Sequence, residues 1–67
     1  MEEVKWAGRV RAFRKLKGYT QEDLAGQIGV SVSLLGSIER GMRELDETTL
    51  QKIIEVLGIT KEELRSK

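Results

Sequence analysis

Between Thr20 and Gly41 the chain reads TQEDLAGQIGVSVSLLGSIERG, and this stretch constrains the fold more than any other. It predicts two short helices joined by a tight turn. Thr20 can cap the first, because its hydroxyl can accept one of the backbone N–H groups that a helix start leaves unpaired. Leu24, Ala25 and Ile28 then recur at helical spacing. At Gly29 the chain must leave the helix through positive φ, a region that glycine enters without a Cβ clash. Ser31 can cap a second helix carrying Leu35 and Ile38, and Gly41 ends it. Ala25 turns a small side chain toward the bend, so the two helices can cross closely.

The same local chemistry recurs along the chain. Four helix starts share an apolar residue, a capping residue and a leucine four positions after the cap: Tyr19-Thr20-Leu24, Val30-Ser31-Leu35, Leu45-Asp46-Leu50 and Ile59-Thr60-Leu64. Each resembles a hydrophobic staple, which sets the angle at which the chain enters a helix. Asp23 after Thr20 and Glu63 after Thr60 stand at the third helical position, and Thr60 to Glu63 reads as a capping box. Gly18, Gly29, Gly41 and Gly58 fall just past helix ends, whereas Gly8, Gly26 and Gly36 lie inside helices. The first helix is expected from Val4 to Lys17, with Trp6, Val10 and Phe13 along one face and Ala7 and Leu16 at its edges. Trp6 reads as core or edge packing. The fourth runs from Asp46 to Leu57 with Leu50, Ile53, Ile54 and Leu57 inward; the fifth, Lys61 to about Ser66, needs Leu64 docked to persist. No stretch alternates as a strand would. The expectation is an all-α fold, a compact bundle of five short helices in one domain over residues 1–67.

Composition narrows the function classes. A chain of 67 residues builds a small core, so caps and association with a second copy carry weight. There is no cysteine and no histidine, which removes thiolate metal sites, disulfides and the commonest general base; no metal or cofactor is expected. The adjacent acids Glu2-Glu3, Glu22-Asp23 and Glu62-Glu63 do not face each other on a helix, and no phosphate loop or nucleophile–base pattern is present, so an enzyme is not expected. No apolar run approaches a membrane span, and MEEVKW lacks the features of a secretory signal; a soluble cytoplasmic protein is expected. Net charge is only +1, but residues 1–19 hold six bases against two acids and residues 20–67 six against nine. The basic first helix can lie beside phosphate or simply be a solvated face.

The combination Thr20-Gln21-Glu22-Asp23-Leu24-Ala25, Gly29-Val30-Ser31 and Ile38-Glu39-Arg40-Gly41 resembles the helix-turn-helix of the lambdoid phage repressor and Cro group, also called the xenobiotic-response-element family. The likeness extends from about Val10 to Leu64. It implies a lambda-repressor-like fold with the motif at residues 20–41, and a sequence-specific regulator of transcription, a repressor, bound to double-stranded DNA. The second helix of the motif, Val32 to Arg40, would lie in the major groove. Val32, Ser33, Leu34, Gly36 and Ser37 would then face the bases, and Gln21, Ser31, Arg40 and Arg43 the phosphates. By the same resemblance, Arg14 pairs with Glu39 as an architectural tie between the first helix and the recognition helix.

The chain departs from the family pattern where specificity should lie. Members commonly carry Arg, Gln, Asn or Thr at several outward recognition positions, side chains that can form paired hydrogen bonds to base edges. Here those positions hold Val, Ser, Leu, Gly and Ser, and Glu44, Asp46 and Glu47 add acids near the expected phosphate path. Weak direct readout is expected, with phosphate contacts and DNA shape contributing more. The same apolar face supports an alternative reading, a protein-interaction module whose DNA binding is absent or depends on a protein partner. The family's members usually bind palindromes as dimers. The expected dimer contact is the C-terminal helices, through exposed Ile54, Ile59 or Leu64; otherwise the chain is the DNA-binding part of something longer.

Overall fold

The computed structural model describes residues 2–65, with side chains from Ala7 to Arg65. Among these residues there are five helices: α1 (Glu2–Leu16), α2 (Gln21–Ile28), α3 (Val32–Glu39), α4 (Glu47–Leu57) and α5 (Lys61–Arg65). The expected place of Trp6 in the apolar stripe, and an α5 end at Ser66, lie outside the described residues.

The helix starts follow the local chemistry closely. Leu24, Leu35, Leu50 and Leu64 donate their N–H groups to the carbonyls of Thr20, Ser31, Asp46 and Thr60, the first rung of each ladder. All four leucines are buried, and Tyr19, Val30, Leu45 and Ile59 pack beside them against the core. Thus each staple closes one helix start and contributes a core side chain in the same step. Two full capping boxes form. Thr20 Oγ1 accepts the Asp23 N–H at 3.0 Å while Asp23 Oδ2 accepts the Thr20 N–H at 3.0 Å. Thr60 and Glu63 repeat this arrangement at 2.9 Å in both directions.

Asp46 departs from expectation. It occupies the cap position of α4, but its side chain makes no capping bond. Its carboxyl is held below the ordinary value of 3.8, chiefly by the Thr49 side chain.

The turn between α2 and α3 is built as the spacing predicts. Gly29 takes φ 77°, and Ala25, 1% exposed, offers its carbonyl to the N–H groups of both Gly29 and Val30. One carbonyl thereby satisfies two donors where the chain reverses. The sharp bend delivers α3 across α2.

The core joins all five helices through Val10, Leu24, Ala25, Ile28, Leu35, Leu50, Ile53, Leu57 and Leu64. α1 packs against α3, α4 and α5, while α2 packs against α3 and α4. Two apolar expectations are corrected. Leu16 is 75% exposed rather than at the edge of the core, because the helical period sets it well round α1 from buried Val10 and Arg14. Leu64 is fully buried, docked as so short a helix was expected to need, and is therefore not available as the exposed dimer contact also expected of it. Ile54 and Ile59 are half-buried against the same core.

Candidate nucleic-acid interface

α3 is held from behind by a polar network. Arg14 and Glu39 are 6% and 7% exposed, the two buried charged residues of the described chain. Arg14 Nε donates to Glu39 Oε2 at 2.7 Å, and Arg14 Nη2 to Glu39 Oε1 at 3.2 Å. The third guanidinium nitrogen, Nη1, donates to the Tyr19 carbonyl at 2.9 Å. Glu39 Oε1 also accepts from Gln21 Nε2 at 3.0 Å. One carboxylate therefore receives donors from α1 and α2, and the guanidinium also reaches the loop between them. No buried side-chain polar atom among the described residues lacks a partner. That completeness matters, since a buried ion pair stabilises only when its remaining donors and acceptors are satisfied.

The network alters the reading of Gln21. The resemblance implies a phosphate contact there, but its side-chain amide nitrogen donates to Glu39. The two residues are 18 apart in the chain, so no local pattern announces the bond. The Gln21 backbone N–H, at the first position of α2, belongs to the set that a helix start leaves without an intrahelical partner.

With Leu35, Ile38 and Glu39 turned inward, α3 presents its other side. Val32 is 41% exposed, Ser33 is exposed, and Leu34 and Ser37 are half-buried. Ser31 is the N-cap, its Oγ accepting the Leu34 N–H at 3.0 Å. Arg40 lies one residue beyond the helix expected to include it, at its C-cap, and is exposed, as is Arg43. Gly36 is corrected. The resemblance turns it toward the bases, yet it is buried. A Cβ there would stand 3.3 Å from Arg40 Nη1 and 3.8 Å from Gln21 Nε2, so those two side chains close over it.

Electrostatics distinguish the two helix starts of the motif. α2 has Glu22 and Asp23 in its first turn, and the Asp23 carboxyl is held below 3.8 by the backbone and side chain of Thr20. α3 has no acid in its first turn. The positive end of the α3 dipole is therefore left uncompensated by its own sequence, the condition under which a helix start attracts an anion.

A helix-turn-helix family model matches residues 10–64, most of the chain. The chain belongs to the Cro/C1-type helix-turn-helix family. It is 53% identical over 64 residues to the uncharacterized HTH-type transcriptional regulator YazB of Bacillus subtilis (strain 168), covering 96% of this chain and 93% of that one. Among solved structures, the restriction-modification controller protein C.AhdI from Aeromonas hydrophila aligns with TM-score 0.86 and 38% identity, over 91% of this chain and 92% of that one. The clp gene regulator ClgR from Corynebacterium glutamicum aligns with TM-score 0.92 and 28% identity, over 97% and 83%. The all-helical lambda-repressor-like architecture is shared with these regulators. No helix among the described residues is long and apolar enough to cross a membrane.

Proposed function

We propose that the chain is a sequence-specific double-stranded DNA-binding transcriptional regulator, a cytoplasmic repressor that binds a palindrome as a homodimer and is not an enzyme. The observation that carries this reading is the presentation of α3. Its inner face is fixed by the Arg14–Glu39–Gln21 network, while Val32 and Ser33 remain exposed beside an acid-free helix start and Arg40 is exposed at the helix's other end. A rigidly seated helix with a positive start and an outward face is what docking into a major groove requires. The family membership and the regulator names of similar proteins support the same reading.

In this reading α3 enters the groove, Val32 reaches a thymine methyl, and Ser33 and Ser37 bond to bases or to water. Ser31, the backbone N–H of Gln21 and the Arg43 side chain meet phosphates. The dimer follows from coverage: one recognition helix spans only a half-site, and a second copy supplies the other about one helical turn away. With Leu64 in the core, the contact surface left on the C-terminal helices centres on half-buried Ile54 and Ile59.

The test is a titration of the purified protein against a random-sequence duplex pool at two salt concentrations, with bound DNA recovered and sequenced. An enriched palindrome whose binding falls steeply with salt is expected. Absence of binding at low salt would reject the reading and favour a protein-interaction module using Val32 and Leu34.

A further inference from the structure

We propose that Arg40 is the base-reading residue of this surface and that Gly36 is the positioning residue that seats it. The proposal rests on the DNA-binding reading above and names its specificity determinant.

Arg40 stands at the C-cap, but its N–H donates to the Gly36 carbonyl at 3.1 Å, so it continues the ladder of α3 by one rung. Side chains on a helix lean toward its N-terminus and cover the residue four positions earlier. For Arg40 that residue is Gly36. The missing Cβ leaves a notch, and Arg40 Nη1 lies 3.3 Å from where that Cβ would be. The guanidinium is thus laid back along α3 by about one turn. It points along the helix that enters the groove, not outward from its end as a phosphate clamp would.

The neighbouring acid does not compete for it. Both Glu39 oxygens are taken, Oε2 by Arg14 and Oε1 by Arg14 and Gln21. The Gln21 amide, which lies over the same notch, is held in place by that carboxylate and flanks the guanidinium from the α2 side. Arg40 itself remains exposed. Of the side chains that α3 turns outward, Val32 and Ser33 cannot form a two-pronged hydrogen bond, whereas an arginine can pair with O6 and N7 of guanine. The geometry therefore assigns the one strong base reader to the residue that position along the motif would give to phosphate. It accounts for a glycine inside an eight-residue helix, where glycine weakens the helix relative to alanine.

The test uses the full chain, its selected DNA site and duplexes changed at each position in turn. Arg40→Ala is expected to flatten the preference at one G·C pair of each half-site by about 5- to 100-fold, with the preferences at other positions retained. Arg40→Lys keeps the charge without the fork, so it should retain salt-dependent binding and still lose that preference. Gly36→Ala fills the notch and favours the helix; its melting temperature should rise while preference at the same pair falls. A Gly36→Ala profile identical to wild type would overturn the positioning role. A uniform loss over all sequences in Arg40→Ala, restored by Arg40→Lys, would overturn base reading and make Arg40 a phosphate contact. In both cases the wild-type chain still selects a site, so the regulator reading survives. A wild-type chain that enriches no sequence overturns that reading and this one together.

Discussion

Two arginines of α1 hold two different parts of the molecule, and they do so by unlike chemistry. Arg14 is buried and grips a carboxylate of α3 and the carbonyl of Tyr19. Arg9 is half-exposed and donates from Nε and Nη2 to one carbonyl of α5, that of Glu63, at 3.2 and 2.8 Å. Five residues separate them, so they leave the helix roughly 140° apart and address different neighbours. Arg9 meets the end of a short helix whose last carbonyls have no intrahelical partner, and its guanidinium also lies 5.3 Å from the centre of the Phe13 ring. Orientation matters more at one grip than at the other. The recognition helix is fixed in direction by a charged, fully satisfied network; α5 is held chiefly by burial of Leu64, with Arg9 closing its end.

Substitutions put that contrast to the test. The largest effect is expected at Arg14→Ala, which strands a buried carboxylate and should cost about 3–5 kcal/mol, a large part of the stability of so small a domain. Thermal melts would measure it, and an unchanged melt would reject the architectural role. Leu64→Ala should cost about 2–5 kcal/mol by leaving a cavity under α5, read by denaturant titration. An effect below that range would mean that α5 contributes little to the core. Arg9→Ala should cost about 1 kcal/mol, the net value of an intramolecular hydrogen bond at a partly exposed site. If Arg9→Ala matches Arg14→Ala in size, the two grips are not different in kind.

Smaller effects are expected at the exposed pairs and caps. Lys61 Nζ lies 2.9 Å from Glu47 Oε2 on an exposed surface, and Lys61→Ala should change stability by no more than about 1 kcal/mol, less in high salt. A double-mutant cycle with Glu47 would isolate it. Acid should act through the helix starts: Asp23 and Asp46 are both held below 3.8 in the folded chain, by Thr20 and Thr49 respectively. Their contribution is present above that value and is lost as pH falls through the depressed folded-state values. Melts taken from about pH 5 downward should therefore show falling stability, and Asp23→Asn should reduce the slope. A slope unchanged by that substitution would remove the Thr20–Asp23 box from the account.

Legibility in the sequence followed distance along the chain. Thr20 with Asp23 and Leu24, and Thr60 with Glu63 and Leu64, act across three or four residues, and their helices begin where those patterns begin. The site was less legible. Gln21 meets Glu39 across 18 residues, and nothing near Gln21 marks its amide as already bonded. Gly36 reads as base-facing in sequence, yet it is covered by Arg40 one turn on and Gln21 on another helix. Val32 and Ser33 read as outward and are exposed, because helical period alone opposes them to buried Leu35 and Ile38.

Residue order alone was enough to set the helix starts, the positive-φ glycine ends and the inner face of α3, since caps, staples and periodicity work through groups a few residues apart. It took the packing of the five helices to leave Leu16 at the surface, to join Gln21 to the Arg14–Glu39 pair, and to close Arg40 over Gly36. Burial depends on which helix lies opposite, and a carboxylate's partners depend on which donors the packed helices bring within about 3 Å.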